Sequence, residues 1–260
     1  MQERIKYEGC PLCASRAAQL YVLADCSIHP LYNPALSSTL HWLRCDDCGH
    51  IFTEGYYTDE CCNLIFSKAN EHQTIGHDFE RKRYIASKMV DKVLPYASSG
   101  TWLDVGFGDG ALLLTAHEYG FDPVGIDLRE ENVQALANLG VRSFCGDIAE
   151  LKLDEPCSVI SMADVLEHIP YPAEALKAAN RLLDQDGILL ISTPNIDSFA
   201  WRILDGQKAN PYWGELEHYH SFGRVRLYEL LKHCGFTPVR YGISARYRLG
   251  MEVLAQKHRD

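Results

Sequence analysis

The 260-residue sequence has no apolar run approaching the roughly 18 residues that a membrane-crossing helix needs. Its opening, Met1-Gln2-Glu3-Arg4-Ile5-Lys6-Tyr7-Glu8, lacks the apolar stretch of a secretory signal. These absences predict a cytoplasmic protein with no membrane partner. An excess of positive charge is also missing: 25 Lys and Arg stand against 35 Asp and Glu, a formal net charge of −10. Phosphate backbones select positive surfaces, so the balance argues against a nucleic-acid partner. Internal repeats and low-complexity tracts are absent too. What remains, 47% hydrophobic and 23% charged, is the composition of a globular protein with room for one substantial domain and a smaller one.

Cysteine is plentiful, at ten residues. Cys26, Cys61, Cys62, Cys145, Cys157 and Cys234 have no paired spacing and read as small core residues. The other four form two C-x-x-C knuckles, Cys10-Pro11-Leu12-Cys13 and Cys45-Asp46-Asp47-Cys48. Two knuckles offer four thiolates at the corners of a tetrahedron, the arrangement zinc accepts most readily. Residues 1–55 are therefore expected to form a zinc-ribbon unit with a structural Zn²⁺ on Cys10, Cys13, Cys45 and Cys48. So short a segment builds little core, and the metal would supply much of its folding free energy. The long stretch between the knuckles predicts a small strand pair or insertion.

Residues 56–97 read as a connector and a helix. Ile85, Ala86, Met89, Val90 and Val93 share one helical face over 78–94, and Pro95 stops it. From Thr101 the period changes. Strands are predicted at Thr101–Val105, Pro123–Asp127, Val141–Cys145, Ser158–Met162 and Ile188–Thr193, with helices at 129–139, 172–183 and 223–234. Alternating strands and helices predict an α/β doubly wound, mostly parallel sheet over a domain of residues 98–260. Between Asn195 and Phe222 the pattern is irregular and rich in Trp, Tyr and His. A connection that long predicts a lid-like insertion at 195–222.

The chemistry is expected at "LDVGFGDGALLL", residues 103–114. Gly106, Gly108 and Gly110 follow a strand and precede a helix, so backbone there approaches a ligand closely and free N–H groups face an anion. That anion would be the pyrophosphate of a nicotinamide dinucleotide or the carboxylate of S-adenosylmethionine. The glycine spacing, with Asp127 placed for a ribose hydroxyl, allows both. Asp104 separates them. A carboxylate two residues before the first glycine suits a ligand with an ammonium group and is unwelcome beside a pyrophosphate. Asp147, just past the third strand, is placed to accept from an adenine amine.

"LDVGFGDG", "GIDL", "CGDIAEL" and "VISMADVLEHIPYPAEALKAANRLLDQDGILLISTPN" together resemble the successive motifs of class I S-adenosylmethionine-dependent methyltransferases over roughly residues 98–245. The resemblance implies that family's Rossmann-like seven-stranded sheet with an antiparallel last strand. It implies that Asp104, Gly106, Gly108 and Gly110 hold the methionyl part, that Asp127 takes the ribose, and that Asp147 with Ile148 contacts adenine. The knuckled start resembles a small-molecule subset acting on sugars, nucleotide-sugars or quinone-type biosynthetic intermediates, although the chain ends soon after the sheet should close.

Methyl transfer to a hydroxyl is helped by a nearby base. "SMADVLEHIP" follows the fourth strand, and His168, with Glu167, is the leading candidate; His218 is the second. The loop also resembles that of ubiquinone-pathway O-methyltransferases, in which the group matching Asp164, Glu167 and His168 holds a divalent metal. Two other classes compete with a methyltransferase of a small hydroxylated acceptor. One is a zinc-ribbon factor that binds or modifies nucleic acid or protein, and the other a nicotinamide-dependent oxidoreductase.

Overall fold

The computed structural model describes residues 3–66, 73–247 and 249–258; the part of the expected connector at 67–72 lies outside them. The chain divides into two compact units. The first comprises Met1–Asn70, Glu167–Pro172 and Pro194–Leu227, and the second comprises Glu71–Leu166, Ala173–Thr193 and Tyr228–Asp260.

In the first unit β1 (Arg4–Lys6) pairs antiparallel with β5 (Gly55–Tyr57). β2 (Ala18–Asp25) and β3 (Thr39–Cys45) are the strand pair expected between the two knuckles, and β4 (Ile51–Thr53) runs antiparallel along β3. Helix α1 spans Asp59–Phe66.

In the second unit α2 (Phe79–Val93) buries Ala86, Met89, Val90 and Val93, the face read from the sequence, while the expected Ile85 is only partly buried. After it come β6 (Gly100–Val105), α3 (Ala111–Glu118), β7 (Phe121–Asp127), α4 (Glu130–Asn138), β8 (Arg142–Cys145) and β9 (Cys157–Ala163). α5 (Pro172–Leu182) and β10 (Leu183–Pro194) follow. Near the C-terminus lie β12 (Phe236–Ile243) and β13 (Gly250–Lys257). The seven strands are ordered β12-β13-β10-β9-β6-β7-β8. From β10 to β8 the pairing is parallel, and β12 pairs antiparallel with β13. This is the α/β sheet expected, and its central strands are apolar without alternation because helices cover both faces. One core gathers Met89, Val90, Trp102, Leu113, Phe121, Leu136 and Leu190.

The segment expected as a lid-like insertion at 195–222 carries short regular elements. It contains α6 (Phe199–Gly206), a 3₁₀ turn at Pro211–Gly214, and β11 (His220–Ser221) paired antiparallel with β4. Trp201, Trp213, Tyr219 and Phe222 are all buried. Trp213 packs edge-on against Trp42 of β3, and its carbonyl accepts from Trp42 Nε1 at 2.8 Å. Its aromatics therefore build the core of the first unit, because an N-terminal segment too short to bury itself recruits them. The division at 55 and 97 differs from the observed one for the same reason. Helix α7 (Arg224–His233) then buries Leu227, Leu230 and Leu231, and Cys234 just beyond it is buried too.

Trp102 has no exposed surface, and its Nε1 donates to Ser161 Oγ at 2.8 Å. Replacing it with Phe removes that bond and leaves a partial void, so Trp102→Phe is expected to cost about 1–3 kcal/mol. The urea midpoint should fall with an unchanged slope; an unmoved midpoint would show the bond to be dispensable.

Candidate functional site

Glycines at 106, 108 and 110 carry the chain from β6 into α3, with φ of 64°, 59° and 78°. Side-chain-bearing residues rarely adopt such angles. At Gly106 a Cβ would also lie 2.7 Å from Val165 Cγ2, whereas at Gly108 the nearest atom would be 3.9 Å away. The middle of the bend is thus open for a ligand, and its start is closed by packing. Gly106 N donates to Ile126 O at 2.7 Å, which stitches the bend to β7.

Asp104, at the end of β6, is buried, and its Oδ1 accepts from Ser161 Oγ at 2.5 Å. Burial pushes its carboxyl up to about 7, against the opposing pull of the Ser161 hydroxyl and Arg246. Asp127 ends β7 and is buried, but its oxygens are already engaged. Oδ2 accepts from Gly108 N and Arg129 Nη2, both at 3.1 Å, and Oδ1 accepts from Arg129 N and Nε, both at 3.0 Å. Sequence reading missed Arg129. It lies two residues past the acid, where the strand-to-helix turn folds its side chain back, and its Nη1 also donates to Gln73 Oε1 at 2.7 Å. Asp147 is exposed and caps its own turn through Ala149 N at 2.8 Å; Ile148 is buried. A cleft of about 200 Å³ opens beside the bend, lined among others by Lys82, Met89, Phe107, Asp109 and Arg246. Lys82 Nζ donates to Asp109 Oδ2 at 2.6 Å.

Two further groups lie in the first unit. The sulfurs of Cys10, Cys13, Cys45 and Cys48 all fall within 4.8 Å of one another. Cys10 to Cys48 and Cys13 to Cys45 are both 3.6 Å. Tetrahedral bonds of about 2.3 Å to zinc give sulfur separations of about 3.8 Å, so the donor set fits that ion. The residue after each knuckle is left-handed, Ala14 at φ 59° and Gly49 at φ 70°, so the two turns repeat one geometry.

The second group is Glu167 and His168, in a 3₁₀ turn at Leu166–His168, together with His218. Asp164 accepts from Ser192 Oγ at 2.9 Å and faces Arg246 Nε at 3.2 Å. Glu167 is fully buried. His168 Nδ1 donates to Glu217 O at 3.0 Å, and its ring meets that of His218 edge-on at 4.7 Å. Burial, then the neighbouring His168 and His29, hold His218 well below the usual imidazole range. Beside this group His220 Nε2 donates to Ile169 O at 2.9 Å, which leaves Nδ1 to accept from His50 Nε2 at 3.0 Å.

A parallel sheet with a glycine bend at its first carboxyl end defines a Rossmann-like, nucleotide-binding class of fold. Residues 79–241 match the family model described as a methyltransferase domain. The chain belongs to that methyltransferase-domain family. It is 30% identical over 162 residues to a ubiquinone biosynthesis O-methyltransferase from Leptothrix cholodnii, covering 58% of this chain and 66% of that one. It is likewise 30% identical over 171 residues to the protein of that name from Nitrosococcus oceani, covering 58% and 72%. The chain thus spans just under two thirds of the first of these relatives. The fold is also similar to a magnesium protoporphyrin IX methyltransferase from Synechocystis PCC 6803 with bound SAH. That likeness has TM-score 0.54 and 19% identity, over 68% of this chain and 83% of that one.

Because the unfolded carboxyl ionises near 4 and the buried one near 7, the native state of Asp104 holds its proton more tightly. Stability should therefore fall as pH rises from 4 to 7, by up to about tenfold in the folding constant per pH unit, and then level off. Asp104→Asn is expected to abolish that component in denaturation curves at pH 5 and 7.5. An identical pH slope in variant and parent would contradict the assignment.

Proposed function

We propose that this chain transfers a methyl group from S-adenosylmethionine to a hydroxyl of a small biosynthetic acceptor. The observation that carries the reading is the buried Asp104 carboxylate at the mouth of the glycine bend. An ionised carboxylate in so dry a place needs a cation, and the donor's α-ammonium supplies one. A dinucleotide would instead bring a pyrophosphate to the same acid. The family match supports methyl transfer, and the relatives' shared name supports oxygen as the atom methylated. Nothing in those names favours a sugar.

The donor contributes an activated methyl on a sulfonium; the chain's residues position and desolvate. Asp104 would take the ammonium, and the open face at Gly108 would receive the backbone of the ligand. Asp127 would take the ribose hydroxyls, which requires them to displace or share the Arg129 contacts. Ile148 and Asp147 would flank the adenine. In-line positioning of acceptor and donor is worth up to roughly 7–11 kcal/mol. The Glu167, His168 and His218 group is assigned to the acceptor hydroxyl, whose proton must leave as the oxygen attacks. The four thiols would hold a structural zinc ion.

Two outcomes are expected. Affinity for S-adenosylhomocysteine, read by calorimetry, should rise about tenfold per pH unit up to about pH 7, because below it a proton must first leave Asp104; Asp104→Asn should weaken binding and flatten the profile. Protection from thermal unfolding by a nicotinamide dinucleotide, with none by S-adenosylhomocysteine, would defeat the reading. Elemental analysis should find one zinc per chain, lost in Cys10→Ser together with thermal stability of the first unit; a full complement in the variant would remove the thiols from the metal's coordination.

A further inference from the structure

We propose that Arg129 sets the affinity of the donor site by competing for it: its guanidinium occupies, on Asp127, the acceptor positions that the donor's ribose hydroxyls would take. Donor binding is then an exchange of a guanidinium for a vicinal diol. The inference rests on the methyl-transfer reading, which brings a ribose to Asp127.

The hydrogen bonds of Asp127 can be counted against its capacity. A carboxylate offers about four lone-pair sites, and each oxygen of this buried one already accepts two N–H groups. One donor on each oxygen is backbone. Oδ1 accepts from Arg129 N at 3.0 Å, and Oδ2 accepts from Gly108 N at 3.1 Å. Both of these are fixed. Gly108 belongs to the bend, and the carbonyl of Arg129 accepts from Asn132 N and Val133 N, both at 3.1 Å, so its backbone is tied into the first turn of α4. The remaining donors come from one side chain, with Nε on Oδ1 at 3.0 Å and Nη2 on Oδ2 at 3.1 Å. That is the parallel fork a guanidinium presents to a carboxylate. A vicinal diol delivers the same pattern, one O–H to each oxygen, so fork and diol are alternatives on one acid.

The fork can leave without any change in the backbone. The Arg129 side chain is partly exposed, and its Nη1 donates to Gln73 Oε1 at 2.7 Å. Gln73 is itself anchored, because its carbonyl accepts from Asn132 Nδ2 at 2.8 Å, and the same amino group donates to Gly108 O at 2.8 Å. The guanidinium therefore keeps an acceptor, held against the same bend and helix, when it gives up the acid. Two energies oppose each other on binding: the bonds gained by the diol and the bonds lost by the fork. The donor and its demethylated form carry the same ribose, so the exchange weakens the hold on both. Return of the fork to Asp127 helps the spent form to leave, a step that limits turnover in many enzymes.

The test uses the full chain, zinc-replete, with S-adenosylhomocysteine as the probe and calorimetry as the readout. Arg129→Met keeps the length of the stem without the fork, and it is expected to bind about tenfold more tightly than the parent, the order of one charge-assisted hydrogen bond. Arg129→Lys restores a cation that cannot fork and should fall between the two. The parent chain gives a second readout by NMR with ¹⁵N-labelled arginine. The Nε–H of Arg129, assigned by its absence from the variants, should resist exchange with water in the ligand-free chain and lose that protection at saturation. Equal or weaker binding by Arg129→Met, or an Nε–H that stays protected in the saturated parent, would overturn the proposal while leaving the donor reading intact. Binding of S-adenosylhomocysteine by neither parent nor variants would defeat the donor reading, and this inference with it.

Discussion

Two residues of strand decide what the first unit is. His220 and Ser221 pair with Phe52 and Ile51, and through that short ladder a segment more than 160 residues away in sequence becomes part of the N-terminal sheet. Such a pairing is weak by itself, since a two-residue strand gains few hydrogen bonds against the entropy of closing so long a loop. It is held by what flanks it. His220 joins His50 in a buried hydrogen bond, Trp213 covers Trp42, and Thr53 N donates to Tyr219 O at 2.9 Å. The ladder works with the bonds from Tyr219 N to Glu167 O at 2.8 Å and from His168 Nδ1 to Glu217 O at 3.0 Å to stand His218 beside His168.

The second unit follows a different economy. Its sheet is a continuous apolar core, and polar groups are admitted only where strands end. Asp104 and Asp127 sit one strand apart at the carboxyl edge, and they are satisfied in opposite ways. Both oxygens of Asp127 are engaged, by Gly108 N and by the Arg129 guanidinium, in a buried place. Asp104 accepts from the Ser161 hydroxyl, and burial lifts its pKa toward neutrality. A ligand that brings a positive charge to the first and hydroxyls to the second would relieve one cost and compete with one existing bond. The edge is therefore asymmetric before anything binds.

Most of the second unit was legible in the sequence because parallel strands and their helices advertise themselves through local periodicity. The five strands from Gly100 to Pro194 and helices α2, α4, α5 and α7 fall within a few residues of their expected positions. Helix α6 and β11 were illegible for a physical reason: Phe199 and Ile203 face outward while Trp201 faces in, and the partner surface is an N-terminal sheet that no local pattern reveals. The same non-locality hid how His218, nominated by its own motif, comes to stand beside Glu167 and His168, and it hid the ion pair between Asp164 and Arg246, some eighty residues later. The four cysteines were readable since knuckle spacing is itself local geometry.

The four thiols and the group of Glu167, His168 and His218 in the first unit share one structural path. Cys10 and Cys45 form a small core with Phe52, which Tyr7, Leu12, Leu43 and Cys48 surround. Thiols thus occupy positions that a larger domain would fill with leucine and valine, and the packing there depends on what the thiols bind. Phe52 belongs to β4, β4 carries β11, and His218 precedes β11 by two residues. Arg226 closes the path from the other side, since its Nη1 donates to Cys48 O at 3.2 Å. Loosening the thiol cluster therefore loosens the strand on which the imidazole of His218 is registered, whereas Glu167 and His168 stay on their own 3₁₀ turn.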